Sequence, residues 1–175
     1  MDEKKMIRAR MKEVRAGLKS PEKDKLIEQN VLSAFGAEES FFVYLSFGSE
    51  AATEGLVRSL LARGKRVCVP LIEGGVMRSV RYREPLEAGA YGILQPKGGE
   101  EETCRVALTP LLAWDGEGYR LGYGGGYYDR YFALHPDVLR VGLSYAGQAV
   151  EGLPREETDM PLHAVVTELG VTRFL

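Results

Sequence analysis

Ile7, Met11, Val14 and Leu18 recur at the three- and four-residue spacing of one helix face, which predicts a helix over residues 4–19. Lys4, Arg8, Lys12 and Arg15 recur on the opposite side as a cationic stripe, and a solvated face is the expectation for Lys12 and Arg15. Ser20-Pro21 sets an N-cap residue before proline at the first helical position, so a second helix is predicted from there to Phe35, stopped by Gly36.

Residues 41–45, from Phe41 to Leu45, form a short apolar run of the buried-strand type. Thr53 is placed to cap a helix carrying Leu56, Val57, Leu60 and Leu61 and ending at Gly64, and residues 66–70 read as the next strand. Strand, helix and strand at this spacing predict a right-handed unit with parallel strands. Gly74-Gly75 then turns the chain into the alternating segment 77–82. Residues 84–102, rich in Gly, Pro and Glu, read as surface connection with little regular structure. Further strands are expected over 106–113, 139–144 and 164–166, with a turn at 115–118 and a helix over 127–134. The alternation predicts one α/β domain over 1–175: a mostly parallel sheet flanked by helices, with an N-terminal helical pair.

Charge and composition narrow the class. With 23 Lys+Arg against 25 Asp+Glu, the chain has no global bias toward nucleic acid or anionic lipid, so neither partner is expected. Two cysteines, outside any CxxC spacing, exclude a disulfide scaffold, and two histidines are too few for the usual zinc cluster. Cys68 lies in an apolar strand and reads as core, and Cys104 is given no role. Trp114 and Tyr82 read as packing or pocket-lining residues. No apolar stretch is long enough to span a bilayer, and none follows the N-terminus as in a secretory signal. A soluble, monomeric, cytoplasmic protein is the expectation.

The chemistry concentrates in one segment. Six of the 21 glycines fall between Gly116 and Gly126, and the run from Arg120 to Arg130 holds four of them with three aromatic hydroxyls and Asp129. Such a loop, with a strand before it and a helix after it, would aim main-chain N–H groups at one point, which suits phosphate oxygens. It lacks the Lys-Ser/Thr of a Walker loop, and Tyr127 stands where a dinucleotide fingerprint needs its third glycine. Asp129, at the helix start, and Asp159 are the carboxylates that could hold Mg²⁺ beside a phosphate. The residues alone leave open a nucleotide-dependent enzyme, a sugar-phosphate isomerase or CoA-transferase-like enzyme, and a binding protein without turnover.

The string from Arg120 to Arg130, preceded by Pro110 and Asp115, resembles the signature of the 5-formyltetrahydrofolate cyclo-ligase family. Lys4 to Arg8, Tyr44-Leu45-Ser46 with Glu50 and Thr53, and the C-terminal segment from Val141 through Gln148 and Asp159 to Glu168 resemble it in the same order. The resemblance implies a compact α/β fold and ATP- and Mg²⁺-dependent cyclisation of 5-formyltetrahydrofolate to 5,10-methenyltetrahydrofolate, with release of ADP and phosphate. It implies that Lys4, Lys5, Met6, Ile7, Arg8, Arg120, Leu121, Gly122, Tyr123, Gly124, Gly125, Gly126, Tyr127 and Tyr128 bind ATP. Leu45, Glu50 and the Tyr123–Tyr127 stretch would meet the folate, and Asp129 and Asp159 the Mg²⁺. Thr158, His163 and Gly125 depart from the family pattern, where His, Asp and Lys are common.

Overall fold

Strands buried on both faces need helices above and below them. The computed structural model describes residues 2–174 and meets that need with four helices; Met1 and Leu175, the ends of the single-domain reading, lie outside the described residues. The helices are α1 (Glu3–Leu18), α2 (Pro21–Phe35), α3 (Glu54–Ala62) and α4 (Tyr127–Leu134). Asp2 caps α1 by accepting the Lys4 N–H at 3.1 Å, and Ser20 caps α2 by accepting the Lys23 N–H at 3.2 Å. Each cap satisfies a donor that the first helical turn leaves open.

The central sheet is built from β1 (Ser40–Val43), β2 (Arg66–Glu73) and β3 (Val76–Arg81) on one side. On the other side it continues through β6 (Val106–Thr109), β9 (Leu139–Leu143), β10 (Ala164–Thr167) and β11 (Gly170–Arg173). Seven strands lie in the order β11-β10-β9-β6-β1-β2-β3. The inner five are parallel, and the edges β3 and β11 are antiparallel. From β1 the chain moves outward to β2 and β3, then returns to lay β6 on the opposite side of β1. Between β1 and β6 the winding direction therefore reverses, and crevices open at the carboxyl ends of strands at such a point.

Period-two alternation divides the core. Phe41 and Val43 turn toward α2 and α3, packing with Ile27, Val31, Leu56 and Leu60. Phe42 and Ala107 turn the other way, onto Phe132 of α4. Each such side chain contributes about 1.5–3 kcal/mol by leaving water. Cys68 and Cys104 are both free and buried on the α4 side, Cys104 at 2 % exposure despite its polar sequence neighbours. Helix α1 packs apart from the sheet, with Met11 against Leu112, Ala113, Leu121 and Leu153.

Several sequence expectations need correction. The 84–102 segment contains a hairpin, β4 (Leu86–Ala88) and β5 (Leu94–Pro96), around a single turn at Ala90–Gly92. The strand expected over 106–113 stops at Thr109, because Pro110 has no N–H for the ladder. Past it, β7 (Ala113–Trp114) and β8 (Arg120–Leu121) form a second small hairpin, so a two-residue strand, outside the main sheet, precedes the glycine loop. Thr53 opens α3 without a side-chain cap. Its Oγ1 donates to the Tyr44 carbonyl at 2.7 Å and accepts the Ser46 N–H at 3.0 Å, stitching the end of β1 to the start of α3.

Candidate active site

A cavity of about 760 Å³ opens at the reversal point, between Tyr44 and Leu45 after β1 and Pro110 after β6. Three walls complete it: α1, the Gly122–Tyr128 loop, and the β4–β5 hairpin with Tyr91 and Leu94 at the mouth.

The loop owes its path to its glycines. Gly124 has φ +103° and Gly126 φ +70°, backbone positions that a side chain strains. A Cβ on Gly124 would lie 3.3 Å from the Arg8 guanidinium carbon. That closeness has a purpose, because Arg8 Nε donates to the Gly122 carbonyl at 2.9 Å and ties α1 to the loop. Gly126 sits immediately before α4, so the loop leads straight into the positive end of that helix.

Charges of both signs line the cavity. Lys4 Nζ donates to Asp159 Oδ2 at 2.9 Å and lies 3.3 Å from Glu156. Burial works against its charge, but Asp159 and Glu156 outweigh it and raise the ammonium above its ordinary pKa. The Arg120 side chain is 6 % exposed, with Nη2 3.6 Å from Asp129 Oδ1 and its guanidinium carbon 5.4 Å from the Tyr128 ring centroid. Among the described residues its buried Nε has no hydrogen-bond partner. Burial lowers its pKa, opposed by Asp129. A buried cation with an open donor beside a glycine loop has chemistry suited to a phosphate.

Glu50 is 6 % exposed. Its Oε1 accepts the Phe47 N–H at 2.7 Å, and its Oε2 accepts the Tyr123 hydroxyl at 2.8 Å. Burial raises its carboxyl above the usual carboxylate range, against the pull of those donors and of Arg15 and Lys19.

The Met160 N–H donates to Asp129 Oδ1 at 3.1 Å, which brings the loop carrying Asp159 up against the start of α4. Both aspartates line the cavity. Asp129 Oδ2 and Asp159 Oδ1 stand outside the contacts just described, so each carboxylate has an oxygen to offer. Two carboxylates that each offer one oxygen fit Mg²⁺, which takes its other ligands from water and phosphate. Among the described residues no cluster of three or more His, Cys, Asp or Glu side chains stands ready for a metal.

Of the residues expected at the site, Lys4, Arg8, Leu45, Glu50, Asp129, Asp159 and the whole Arg120–Tyr128 stretch line this one cavity. Lys5 and Met6 are exposed and outside its lining, and Ile7 packs beside Met11 instead. Arg15 corrects the solvated-face expectation: it is 5 % exposed and lines the cavity, whereas Lys12 is exposed at its rim. Its signal was the stripe it shares with Lys4 and Arg8. Tyr91, at the mouth, gave no sequence signal. Thr158 is in the lining, while His163 is outside it, where Nδ1 accepts the Arg140 N–H at 2.9 Å. Trp114 is likewise core, donating Nε1–H to Ser144.

The sequence pattern of the 5-formyltetrahydrofolate cyclo-ligase family matches residues 1–168. The chain belongs to this family. A cyclo-ligase of Haemophilus influenzae is 30 % identical over 177 residues, covering 91 % of this chain and 95 % of the relative. Another, from Escherichia coli K12, is 38 % identical over 137 residues, covering 71 % and 75 %. The solved 5,10-methenyltetrahydrofolate synthetase of Aquifex aeolicus superposes with a TM-score of 0.83 at 32 % identity, over 97 % of this chain and 92 % of that one. Of the charged residues in the string that resembles the cyclo-ligase signature, Arg120 and Asp129 line the cavity, while Asp115 and Arg130 lie outside it.

Proposed function

We propose that this cyclo-ligase closes the imidazoline ring of 5-formyltetrahydrofolate, using ATP, in the cavity between β1 and β6. The observation that carries the reading is the convergence of Lys4, Arg8, Arg120 and the glycine loop on one cavity, with buried Glu50 lining it too.

The formyl oxygen is a poor leaving group on an amide carbon. Transfer of the γ-phosphoryl of ATP to that oxygen converts it to phosphate. N10 then attacks the activated carbon, and inorganic phosphate and the N10 proton leave as the methenyl bridge forms. Such transfers are limited by positioning and charge neutralisation rather than by a protein nucleophile. Arg120, Lys4 and Arg8 supply positive charge, and the amides before α4 supply fixed dipoles. Asp129 and Asp159 are the residues that would hold Mg²⁺, whose chemistry is to neutralise phosphate oxygens as charge moves to ADP. Glu50, buried in the cavity wall, is placed to accept N–H groups of the reduced pterin, and Leu45 to cover its apolar face. Tyr123 bridges the two halves through its bond to Glu50.

Incubation with Mg-ATP and 5-formyltetrahydrofolate should give methenyl absorbance and ADP in equal amounts. The Asp129→Asn variant should lose most of the rate, and chelation of Mg²⁺ all of it. Methenyl formation without ADP release, or an unaffected Asp129→Asn rate, would contradict the reading.

A further inference from the structure

Arg15 stands in the last turn of α1, 5 % exposed, with its guanidinium spread over three separate segments. Nε donates to Ser49 Oγ at 3.0 Å, the residue next to Glu50. Nη1 donates to the Leu111 carbonyl at 3.0 Å, in the turn after β6. The guanidinium carbon lies 5.4 Å from the Tyr123 ring centroid, and the Tyr123 hydroxyl donates to Glu50. One side chain therefore ties together the residue before Glu50, the ring that bonds Glu50, and the turn after β6.

Burying a guanidinium costs several kcal/mol unless opposite charge and acceptors answer it. Here two oxygens accept it, and Glu50 is the acid on which its charge acts, against the burial that disfavours that carboxylate. The other charged or titratable groups facing Glu50 are Lys19 of α1, Tyr44 at the end of β1, Tyr123 of the loop and Tyr128 of α4. Lys19 is engaged elsewhere: its Nζ donates to Asp24 at 2.9 Å and to the Glu50 main-chain carbonyl at 2.8 Å. The three tyrosines, as neutral hydroxyls, bring no positive charge. The planar, permanently charged fork of arginine suits this post, and the single donor point of lysine does not reproduce it fully.

We propose that Arg15 is a positioning residue for folate recognition: through Ser49 and Tyr123 it holds the Glu50 side chain in the inward-facing position that receives the pterin. The proposal rests on the reading of Glu50 as the pterin acceptor. It makes Arg15 matter for folate affinity through Glu50 alone, with little effect on nucleotide.

A double-mutant cycle on the full chain tests it, with 5-formyltetrahydrofolate and Mg-ADP affinities measured separately. Arg15→Met should weaken folate binding about tenfold, the weight of one charge-assisted hydrogen bond, and Arg15→Lys should recover part of that loss. Mg-ADP affinity should change less than about twofold, and in a Glu50→Gln background Arg15→Met should likewise cost folate binding less than about twofold, since the interaction it supports is already gone. Equal losses in both backgrounds, or a matching loss of nucleotide affinity, would overturn the proposal and leave Arg15 a structural tie. Arg15→Gln serves in the same cycle if Arg15→Met does not fold. If Glu50→Gln alone leaves folate affinity intact, the Glu50 reading fails with this proposal, and that single variant separates the two failures.

Discussion

Gly126→Ala tests whether the glycine loop is held in the conformation that forms the anion cradle. Gly126 has φ 70° and ψ 14°, the left-handed region, at the residue before α4. An L side chain there costs about 1–2 kcal/mol. The new Cβ would also lie 2.8 Å from Arg130 Nη1, which donates to the Gly125 carbonyl at 2.8 Å, so that tie must shift. For a domain of this size each kcal/mol lowers Tm by about 2–4 °C, so the variant should melt about 2–8 °C lower. If the strain instead relaxes by moving the loop, the same energy should appear as a roughly 5- to 30-fold loss of nucleotide affinity. Gly17→Ala is the control: Gly17 lies within α1, and a Cβ there would meet nothing within 4 Å. That change should raise stability by about 0.5–1 kcal/mol. Thermal melts and nucleotide titrations of both variants decide the matter. If the two glycines respond alike, with Tm raised and nucleotide binding unchanged, the strained-loop argument is wrong.

Glu50→Gln should weaken folate binding, and its effect on Tm should turn more favourable as pH rises. Because burial lifts the folded-state pKa of Glu50 above its unfolded value, ionisation costs the native state stability as pH rises through those two values. The Tm of the variant relative to the parent chain should therefore rise between pH 4 and pH 7; a constant difference across that range would contradict the cause given for the shift. Thr53→Val removes a buried hydrogen bond to the Tyr44 carbonyl and a partly buried one from the Ser46 N–H, and urea unfolding should show about 1–3 kcal/mol lost for the buried carbonyl left unpaired. A loss below about 0.5 kcal/mol would mean that the loop carrying Glu50 is held by other contacts.

The parts of the fold that local chemistry dictates were legible in the sequence. Ser20, Pro21 and Gly36 mark both ends of α2, and the parallel β1–α3–β2 unit follows from spacing. The parts that depend on distant partners were not. β11 forms because the Glu168-Leu169 turn folds it back on β10, and the β4–β5 hairpin emerges from a segment whose Gly and Pro content argues for loop. The site divides in the same way. Gly122–Gly126, Arg120 and Asp129 form a contiguous signal beside one another in the chain. Arg15 misled because helical periodicity places it with the solvated row, and only the approach of Ser49 and Leu111, from 34 and 96 residues away, buries it. Tyr91 reaches the mouth through the hairpin, which no periodicity announces.

The central claim is that one cavity seats nucleotide and folate together, with the glycine loop between them. A crystal structure with Mg²⁺, a non-hydrolysable ATP analogue and 5-formyltetrahydrofolate tests it most directly. The expected result has the triphosphate against the Gly122–Tyr128 amides and Arg120, the pterin at Glu50, and the formyl oxygen facing the γ-phosphorus. A nucleotide seated outside the cavity, or a folate whose formyl group points away from the phosphate, would contradict the account.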